Sequence, residues 1–188
     1  MKRRLLIFAM VVIWSGSAFA ADLLHYPPSV EGGNILIDIG LGFIFPSASD
    51  AKIKIPPLSL CVDYCLPVGV PISVGGLFAF HQWGKDYNDP PEKWSETWNY
   101  ITGGIRGNWH WNIDVKWLDF YTGIFLGYTY FKCSFDNPDS PPGYNKPNYG
   151  GFNFGVQAGA HFYFTNFIGA LVEIGYPYPI KAGLALKF

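Results

Sequence analysis

The fold follows from the stretch Phe152-Asn153-Phe154-Gly155-Val156-Gln157-Ala158-Gly159-Ala160-His161-Phe162-Tyr163-Phe164. Its even positions are apolar and mostly large, while its odd positions are mainly small or polar. A repeat of two residues places successive side chains on opposite faces, which indicates a β-strand rather than a helix. The stretch therefore predicts a strand with one apolar face and one polar face.

The same period recurs along the chain. In 35–43 the odd positions are large and apolar, and in 101–111 Arg106, Asn108 and His110 share the second face. The stretch 182–188 alternates in the same way. These patterns together predict eight strands, whose boundaries are near 34–45, 58–66, 71–83, 98–111, 118–132, 151–164, 168–177 and 179–188.

The lengths of the connections alternate. Those after the first, third and fifth strands are long, at 46–57, 84–97 and 133–150, whereas those after the second, fourth and sixth are short. The seventh connection, around Pro177-Tyr178-Pro179, is also short and breaks the pattern. Long loops outside and tight turns in the periplasm are typical of outer-membrane barrels.

The N-terminus has the three-part order of a secretory signal peptide. Basic residues at 2–4 precede an apolar stretch at 5–14, and the small residues that follow end in the cleavage motif Ala18-Phe19-Ala20. This apolar stretch is about half of the roughly 20 residues that a membrane-spanning helix needs. We therefore expect a signal peptide over 1–20, a short periplasmic segment over 21–33 and a β-barrel domain over 34–188.

Composition and charge narrow the class of protein. Cleavage after Ala20 would leave 168 of the 188 residues, with ten of the 13 basic and all 14 acidic residues, hence a formal net charge of −4. Such a chain has no electrostatic basis for binding nucleic acid. Charged residues make up only 14% and aromatic residues 19%. No later apolar run is long enough for a spanning helix. A closed β-barrel is therefore the remaining structure with which this chain could span a membrane.

A soluble barrel of the lipocalin type is the main structural alternative. It would turn its apolar face inward and a face rich in Lys, Glu and Thr towards water. Here the second face is mostly Gly, Ser, Asn and Ala, which favours a membrane barrel. Aromatic residues near predicted strand ends also resemble the girdles of membrane barrels. They are Trp109, Trp111 and Trp117 at the periplasmic rim and Trp83, Trp98, Tyr100, Tyr128 and Tyr130 at the outer rim.

The C-terminal part of the chain resembles a known family. The segments 159–166, 169–176 and 183–188 are similar to the ending of small porin-family outer-membrane β-barrel proteins of the OmpX and OmpA type. The segments 56–60 and 72–76 resemble the second and third strands of the same family. The resemblance covers about residues 34 to 188. It implies an eight-stranded antiparallel barrel. The name of the family describes a fold and does not by itself imply a pore.

One detail of the C-terminal part supports this resemblance, and one departs from it. Phe188, with apolar residues at 186 and 184, resembles the signal by which the barrel-assembly machinery recognises its clients. The segment Pro177-Tyr178-Pro179 departs from the regular last hairpin of the family. The family therefore implies an assembly partner at the C-terminal strand.

Ten polar residues face the interior if the alternation holds. An eight-stranded barrel is only wide enough for side chains to fill it, and an unpaired buried charge is costly. We therefore expect these groups to pair across the lumen and to close it. Glycines at 40, 42, 123, 127, 155 and 159 share this face and could instead leave room for water. The polar residues are Asp38, Asp63, Arg106, Asn108, His110, Gln157, His161, Glu173, Lys181 and Lys187.

An outer-membrane lipid A deacylase is the sharpest enzyme hypothesis. His161 followed by Glu173 resembles that arrangement, but Tyr163 stands where the family has its nucleophilic serine. The four histidines show no zinc spacing, and no phosphate loop or dinucleotide fingerprint occurs. The sequence therefore predicts no catalytic residue, no cofactor and no metal site.

The three cysteines are unusual for an exported barrel. Cys61 and Cys65 would lie about 13 Å apart along one strand, at about 3.3 Å per residue, beyond the roughly 7 Å Cα limit of a disulfide. Both point inward by alternation, while Cys133 opens the third long connection, where it could be free or paired elsewhere. A disulfide between Cys61 and Cys65 is therefore not expected.

The sequence thus predicts an all-β protein, an eight-stranded antiparallel up-and-down transmembrane β-barrel in the bacterial outer membrane. Its role would be structural or interaction-based, carried by the loops 46–57, 84–97 and 133–150. The expected contacts are outer-membrane lipids, the barrel-assembly machinery through Phe188 and an extracellular ligand or surface partner. A small-solute channel and a lipid-modifying enzyme are the alternative functions.

Overall fold

Eight β-strands close into one antiparallel barrel in chain order, and β1 pairs with β8. The computed structural model describes residue 25 and residues 27–44, 51–87, 94–135 and 148–188. No helix in this part of the chain is long and apolar enough to cross a membrane. The predicted fold class is confirmed. The strands are β1 (Ile35–Phe43), β2 (Lys52–Cys65), β3 (Ile72–Tyr87), β4 (Trp94–Trp111), β5 (Leu118–Phe135), β6 (Asn148–Tyr163), β7 (Ile168–Gly175) and β8 (Ile180–Lys187).

Apolar side chains cover the outside of the barrel. Ile105, Leu126 and Val156 lie at apolar positions of the alternating pattern and are 67%, 53% and 62% exposed, and Ile37 is half-buried. A soluble barrel would bury such residues, and a contiguous apolar surface of this extent marks contact with a membrane or a partner. The outer face is therefore a lipid-facing belt, and the lipocalin alternative is wrong.

The belt ends at one row of the sheet. Ile101 on β4 faces outward and pairs with Phe80 on β3 and Tyr130 on β5. Two residues further towards the long connections, the outward positions become polar, and they are again paired with one another. The strands therefore leave the lipid at this level. The first polar row consists of Gln82, Asn99 and Lys132.

The wall of the barrel is uneven in height. Strands β1, β7 and β8 have 9, 8 and 8 residues, whereas β2 to β6 have 14 to 18. Because the strands are level at the end with short connections, the extra length lies at the other end, which is extracellular by the loop pattern. We call these outer parts of β2 to β6 the protruding sheet, comprising 52–57, 82–87, 94–99, 132–135 and the start of β6 at 148–151. The next outward residues of β6, Phe152, Phe154 and Val156, pair with Tyr128, Leu126 and Ile124 and belong to the belt.

The protruding sheet takes in most of what the sequence assigned to loops. The strand ends reduce the long connections to 44–51, 88–93 and 136–147, and 45–50, 88–93 and 136–147 lie outside the described residues. The predicted boundaries were wrong there because strands outside lipid no longer alternate apolar and polar residues. In β2, Pro56 and Pro57 fall within a register shift between Ile55 and Leu58, a position that tolerates proline.

The N-terminal segment before β1 closes the periplasmic end of the barrel. Val30 is buried against Leu36 and Tyr163, and Ser29 Oγ donates a hydrogen bond to the Leu118 carbonyl at 2.8 Å. Lys187 Nζ donates to the Ser29 carbonyl at 2.5 Å. The described part of this segment is thus a plug. The predicted signal peptide over 1–20 lies outside the described residues.

Candidate functional site

Arg106 on β4 lies at the centre of the lumen and is almost fully buried. Its Nη2 donates to Asp38 Oδ2 at 2.7 Å and its Nη1 to Glu173 Oε2 at 3.2 Å. Its Nε donates to both carboxylate oxygens of Asp63 at 2.9 Å, and Nη2 also contacts Asp63. One guanidinium therefore ties together carboxylates from β1, β2 and β7, since its five donors suit such multiple pairing.

Glu173 also connects the lumen to β5 and β8. Lys181 Nζ lies 2.7 Å from Glu173 Oε1, and the Tyr121 hydroxyl donates to Glu173 Oε2 at 2.5 Å. Glu173 and Lys181 were predicted to point inward, and both are buried, as is Tyr121. The cross-lumen pairing that the alternation predicted is confirmed.

Asp119 on β5 joins two histidines and was missing from the predicted interior set. His110 Nδ1 lies 2.8 Å from Asp119 Oδ1, and His161 Nδ1 lies 2.8 Å from Asp119 Oδ2. His161 Nε2 also approaches Asp38 Oδ1 at 3.1 Å, an ion-pair distance without hydrogen-bond alignment. Asp119 has the same parity as the inward-facing Tyr121, so strand alternation alone could have found it.

Four carboxylates and four basic side chains meet in this lumen. Four carboxylates face two permanent cations, Arg106 and Lys181, together with His110 and His161. Both ring nitrogens of His161 face carboxylates, and a neutral imidazole could donate from only one of them. This arrangement suits an imidazolium, which makes His161 a structural cation of the network.

The remaining predicted polar residues extend the network. Gln157 Nε2 donates to Asn108 Oδ1 at 2.7 Å, and Asn108 Nδ2 reaches Ser73 Oγ at 3.4 Å. Lys187 lies at the periplasmic plug, with its ammonium 4.5 Å from the centre of the Tyr163 ring. All ten predicted interior residues therefore lie on the inner face or at its lower end.

The inward glycines make room for side chains. A Cβ atom built on Gly127 would lie 2.3 Å from Phe125, and one on Gly159 would lie 2.5 Å from the Tyr121 hydroxyl. The alternative that these glycines leave space for water therefore loses its basis. The other four behave alike, with Lys181 at Gly40, Tyr178 at Gly42, Asn108 at Gly123 and Tyr176 at Gly155.

The connection between β7 and β8 folds into the outer mouth of the lumen. Tyr178 is buried, donates a hydrogen bond to the Leu58 carbonyl at 3.2 Å and packs edge-on against His81. Tyr176 stacks on Phe125 with ring centres 5.0 Å apart. The segment that departs from the family pattern thus caps the charged network.

A Ser-His-Asp geometry occurs where the sequence did not indicate one. His110 Nε2 lies 3.0 Å from Ser73 Oγ, and His110 Nδ1 lies 2.8 Å from Asp119. These distances match those of hydrolytic triads. However, Ser73 has no exposed surface, and Asp119 is shared with the cationic His161. The Ser73 hydroxyl is therefore closed to solvent in this structure.

The deacylase hypothesis gains no support from the residues that suggested it. His161 is held between Asp119 and Asp38, and Glu173 is held by Arg106 and Lys181. In the described ranges, no group of three or more His, Cys, Asp or Glu could hold a metal ion. Cys61, Cys65 and Cys133 point inward as thiols, without a disulfide between them.

Aromatic rings line the inner face of the protruding sheet. Trp83 stacks on Trp98 with ring centres 4.2 Å apart, and His81 stacks on Tyr100 at 4.4 Å. The prediction of a lipid-facing girdle was wrong for Trp83, Trp98 and Tyr100, because their parity matches that of buried Ala79. Burial raises the pKa of Glu96, on the same part of β4, above its usual value. A hydrogen bond from the Tyr87 hydroxyl acts in the opposite direction and lowers this pKa, but its effect is smaller.

The sheet has two unpaired edges where β1, β7 and β8 end. The pairing of β6 with β7 ends at Gln157 and Gly175, so 148–156 has no strand beside it in the described chain. The pairing of β2 with β1 likewise ends at Leu58, which leaves 52–57 as the second edge. The only backbone bond from 148–156 towards the β7 side among the described residues is Tyr176 N–H to the Val156 carbonyl, at 3.1 Å.

Solved structures with a similar fold are outer-membrane β-barrels. The outer-membrane protein OprG from Pseudomonas aeruginosa has a TM-score of 0.57 and 11% identity, over 86% of this chain and 99% of that chain. The N-terminal β-barrel domain of Pseudomonas aeruginosa OprF has a TM-score of 0.50 and 12% identity, over 84% of this chain and 98% of that chain. At such identities the likeness shows the fold alone.

No family model and no curated protein matches the chain. The closed eight-stranded fold and the apolar belt nevertheless agree with each other, since only a closed barrel satisfies the backbone of a membrane-spanning sheet. The protein is an integral β-barrel of the bacterial outer membrane, as predicted.

Proposed function

We propose that this barrel binds partners through the free edge of β6, which runs from the protruding sheet into the outer half of the belt, and that it neither conducts solutes nor catalyses a reaction. The observation that carries the proposal is the free edge of β6 at 148–156, which continues beyond the end of β7 through the outer half of the belt and into the protruding sheet. An unpaired edge is a template on which an extended segment of another chain can add a strand.

The edge offers both backbone and side-chain contacts. The Val156 carbonyl points to the free side, and by strand alternation the N–H and C=O groups of Phe154, Phe152 and Gly150 point the same way. Phe152 is 86% exposed and Phe154 is 67% exposed. A partner strand would therefore gain main-chain hydrogen bonds, and its alternate side chains could pack on two phenylalanine rings.

The filled lumen supports the exclusion of a channel. Arg106 and its three carboxylates cross the barrel axis, and Tyr176 and Tyr178 cover them from the outside. The side chains that occupy the space at the inward glycines remove the main argument for a water path. Conduction through such a barrel would require several buried ion pairs to separate.

The same burial supports the absence of catalysis. Ser73, His110 and Asp119 are each at most 1% exposed, so their triad-like geometry serves the network of the lumen. A fluorophosphonate probe that labels activated serines should leave the folded protein unmodified. Labelling that disappears in Ser73→Ala would show that the site is open and would contradict the non-catalytic reading.

The strand-addition proposal can be tested with a random peptide library displayed on phage and selected on the protein in nanodiscs. Enriched peptides should slow amide exchange at Gly150, Phe152 and Phe154. Phe152→Pro should abolish their binding because proline removes the N–H on the free edge. Phe152→Thr removes the same ring, keeps the N–H and should bind more weakly without complete loss. Peptides that bind the proline variant equally well would overturn the proposal.

Recognition of the C-terminal strand by the barrel-assembly machinery stays a prediction. Phe188 is exposed, and its backbone exchanges two hydrogen bonds with Ile35 of β1, so its ring is available in the folded barrel. Phe188→Ala should slow insertion of the precursor in cells and leave the stability of the inserted barrel nearly unchanged. Equal insertion rates for both proteins would contradict this role.

A further inference from the structure

A groove of about 580 Å³ lies in the outer wall of the barrel. Gly107 on β4 forms its floor, since a Cβ there would meet only one atom, the Ser73 carbonyl oxygen at 3.9 Å. Ile72 and Trp109 border it on one side, and Ile124 and Val156 on the other. The outward side chains of the groove are therefore almost entirely apolar, with one hydroxyl from Thr122.

The groove lies in the periplasmic half of the belt. Ile72 is the first residue of β3, and Trp109 lies two residues before the end of β4, both at the side of the short connections. From there the groove runs to Val156, which pairs with Ile124 near the middle of the belt. Because the surrounding belt is covered by lipid, the groove must be filled by lipid chains or by another protein in the membrane.

Charge at the rim favours a phospholipid over a second protein. Lys116 is exposed in the turn between β4 and β5, the two strands that meet at the groove floor. A cation at this level can pair with the phosphate of a lipid headgroup whose acyl chain lies in the groove above it. Trp111 and the exposed Trp117 flank the same end, as expected of residues at a membrane interface.

We propose that this groove binds one phospholipid of the periplasmic leaflet, with an acyl chain on Gly107 between Trp109 and Ile124 and the headgroup phosphate at Lys116. Close packing, rather than removal from water, holds the chain, since a lipid tail is as apolar as the residues around it. The headgroup contact therefore decides which lipid stays bound. This site meets the strand edge only at Val156, whose side chain borders the groove and whose carbonyl lies on the edge.

The site can be tested by native mass spectrometry of the protein in detergent micelles that contain phosphatidylethanolamine. The wild-type protein should retain a one-lipid adduct. Gly107→Phe should lose it, because the new ring fills the groove floor. Gly103→Phe is the matched control, since Gly103 also faces outward on β4 into open space but does not line the groove. Its adduct should remain.

Lys116→Gln tests the headgroup contact separately. It should weaken the phosphatidylethanolamine adduct and leave heat-shifted gel mobility unchanged, because the side chain is exposed in a turn. Equal lipid retention in Gly107→Phe and the wild-type protein would overturn the proposal. So would a dimer that Gly107→Phe dissociates, because the groove would then be an interface between two copies of the chain.

Discussion

The lower barrel leaves no strand edge unpaired, whereas the sheet above it has two open edges. In the lower barrel every strand has two neighbours, and the buried charges of β1, β2, β4 and β7 meet at Arg106. Beyond the ends of β1, β7 and β8 only β2 to β6 continue, and the edges at 52–57 and 148–156 stay open. The proposed binding edge therefore lies where the strand lengths become unequal.

The two groups of glycines show the same contrast on the two faces of the wall. Inward glycines such as Gly127 and Gly159 lie against large side chains, whereas outward ones such as Gly103 and Gly107 face open space. The inner face uses glycine to accommodate bulky neighbours in a narrow lumen. The outer face uses it to leave hollows that lipid can fill.

Arg106→Ala should have the largest effect on stability. It leaves Asp38, Asp63 and Glu173 buried without their shared cation, and breaking a buried pair in this way costs about 3–5 kcal/mol. Unfolding by urea in lipid vesicles, followed by tryptophan fluorescence, measures the change. Lys52→Ala removes the exposed Lys52–Asp86 pair of the protruding sheet, and such surface pairs contribute about 0–1 kcal/mol. Equal losses would erase the distinction between the two regions.

The level at which the strands leave lipid can be checked along β4. Ile105→Arg places a charge on the lipid-facing belt and should cost about 2–4 kcal/mol, because the guanidinium loses its hydration near the middle of the membrane. Asn99→Arg faces outward on the same strand in the first polar row and should cost much less. The same urea titration compares them. Equal costs would place the membrane boundary further out than the polar row.

A smaller effect is expected from glycine substitutions in the two faces. Gly127→Ala would bring a methyl group 2.3 Å from the Phe125 ring, and overpacking of this kind costs about 1–3 kcal/mol. Gly103→Ala has open space and should leave the urea midpoint almost unchanged. If Gly127→Ala left the urea midpoint unchanged, the lumen would contain free volume. The conclusion that side chains close the lumen would then lose support.

Strand alternation predicted the eight strands and the inward direction of residues such as Asp38, Arg106 and Glu173. It worked because lipid outside and a packed lumen inside impose opposite demands on neighbouring residues. It failed for Trp83 and Trp98, which lie above the belt where both faces meet water or other rings. There the apolar and polar positions no longer differ, and the end of a strand leaves no sign in the sequence.

The site was less predictable than the fold. The ion pairs and hydrogen bonds of the lumen depend on which side chains meet across the barrel. To predict them, one would need to know the register of all eight strands at once. Asp119 could have been included by parity alone, but its bridging of His110 and His161 could not. The inward fold of Tyr178 was also hidden, since Pro177 and Pro179 indicated only an irregular turn.

The final prediction is that the barrel does not conduct ions. The network around Arg106, the cap of Tyr176 and Tyr178 and the plug at Val30 lie one above the other along the lumen, so three separate barriers would have to open together. In a planar bilayer the protein should give no reproducible single-channel steps, while the same preparation shows the heat-shifted mobility of a folded barrel. Arg106→Ala removes one barrier, and this variant should still give no single-channel steps because the cap and the plug remain. Steady steps from the wild-type protein would show that a water path passes between these groups, and the surface-binding role would then have to share the barrel with transport.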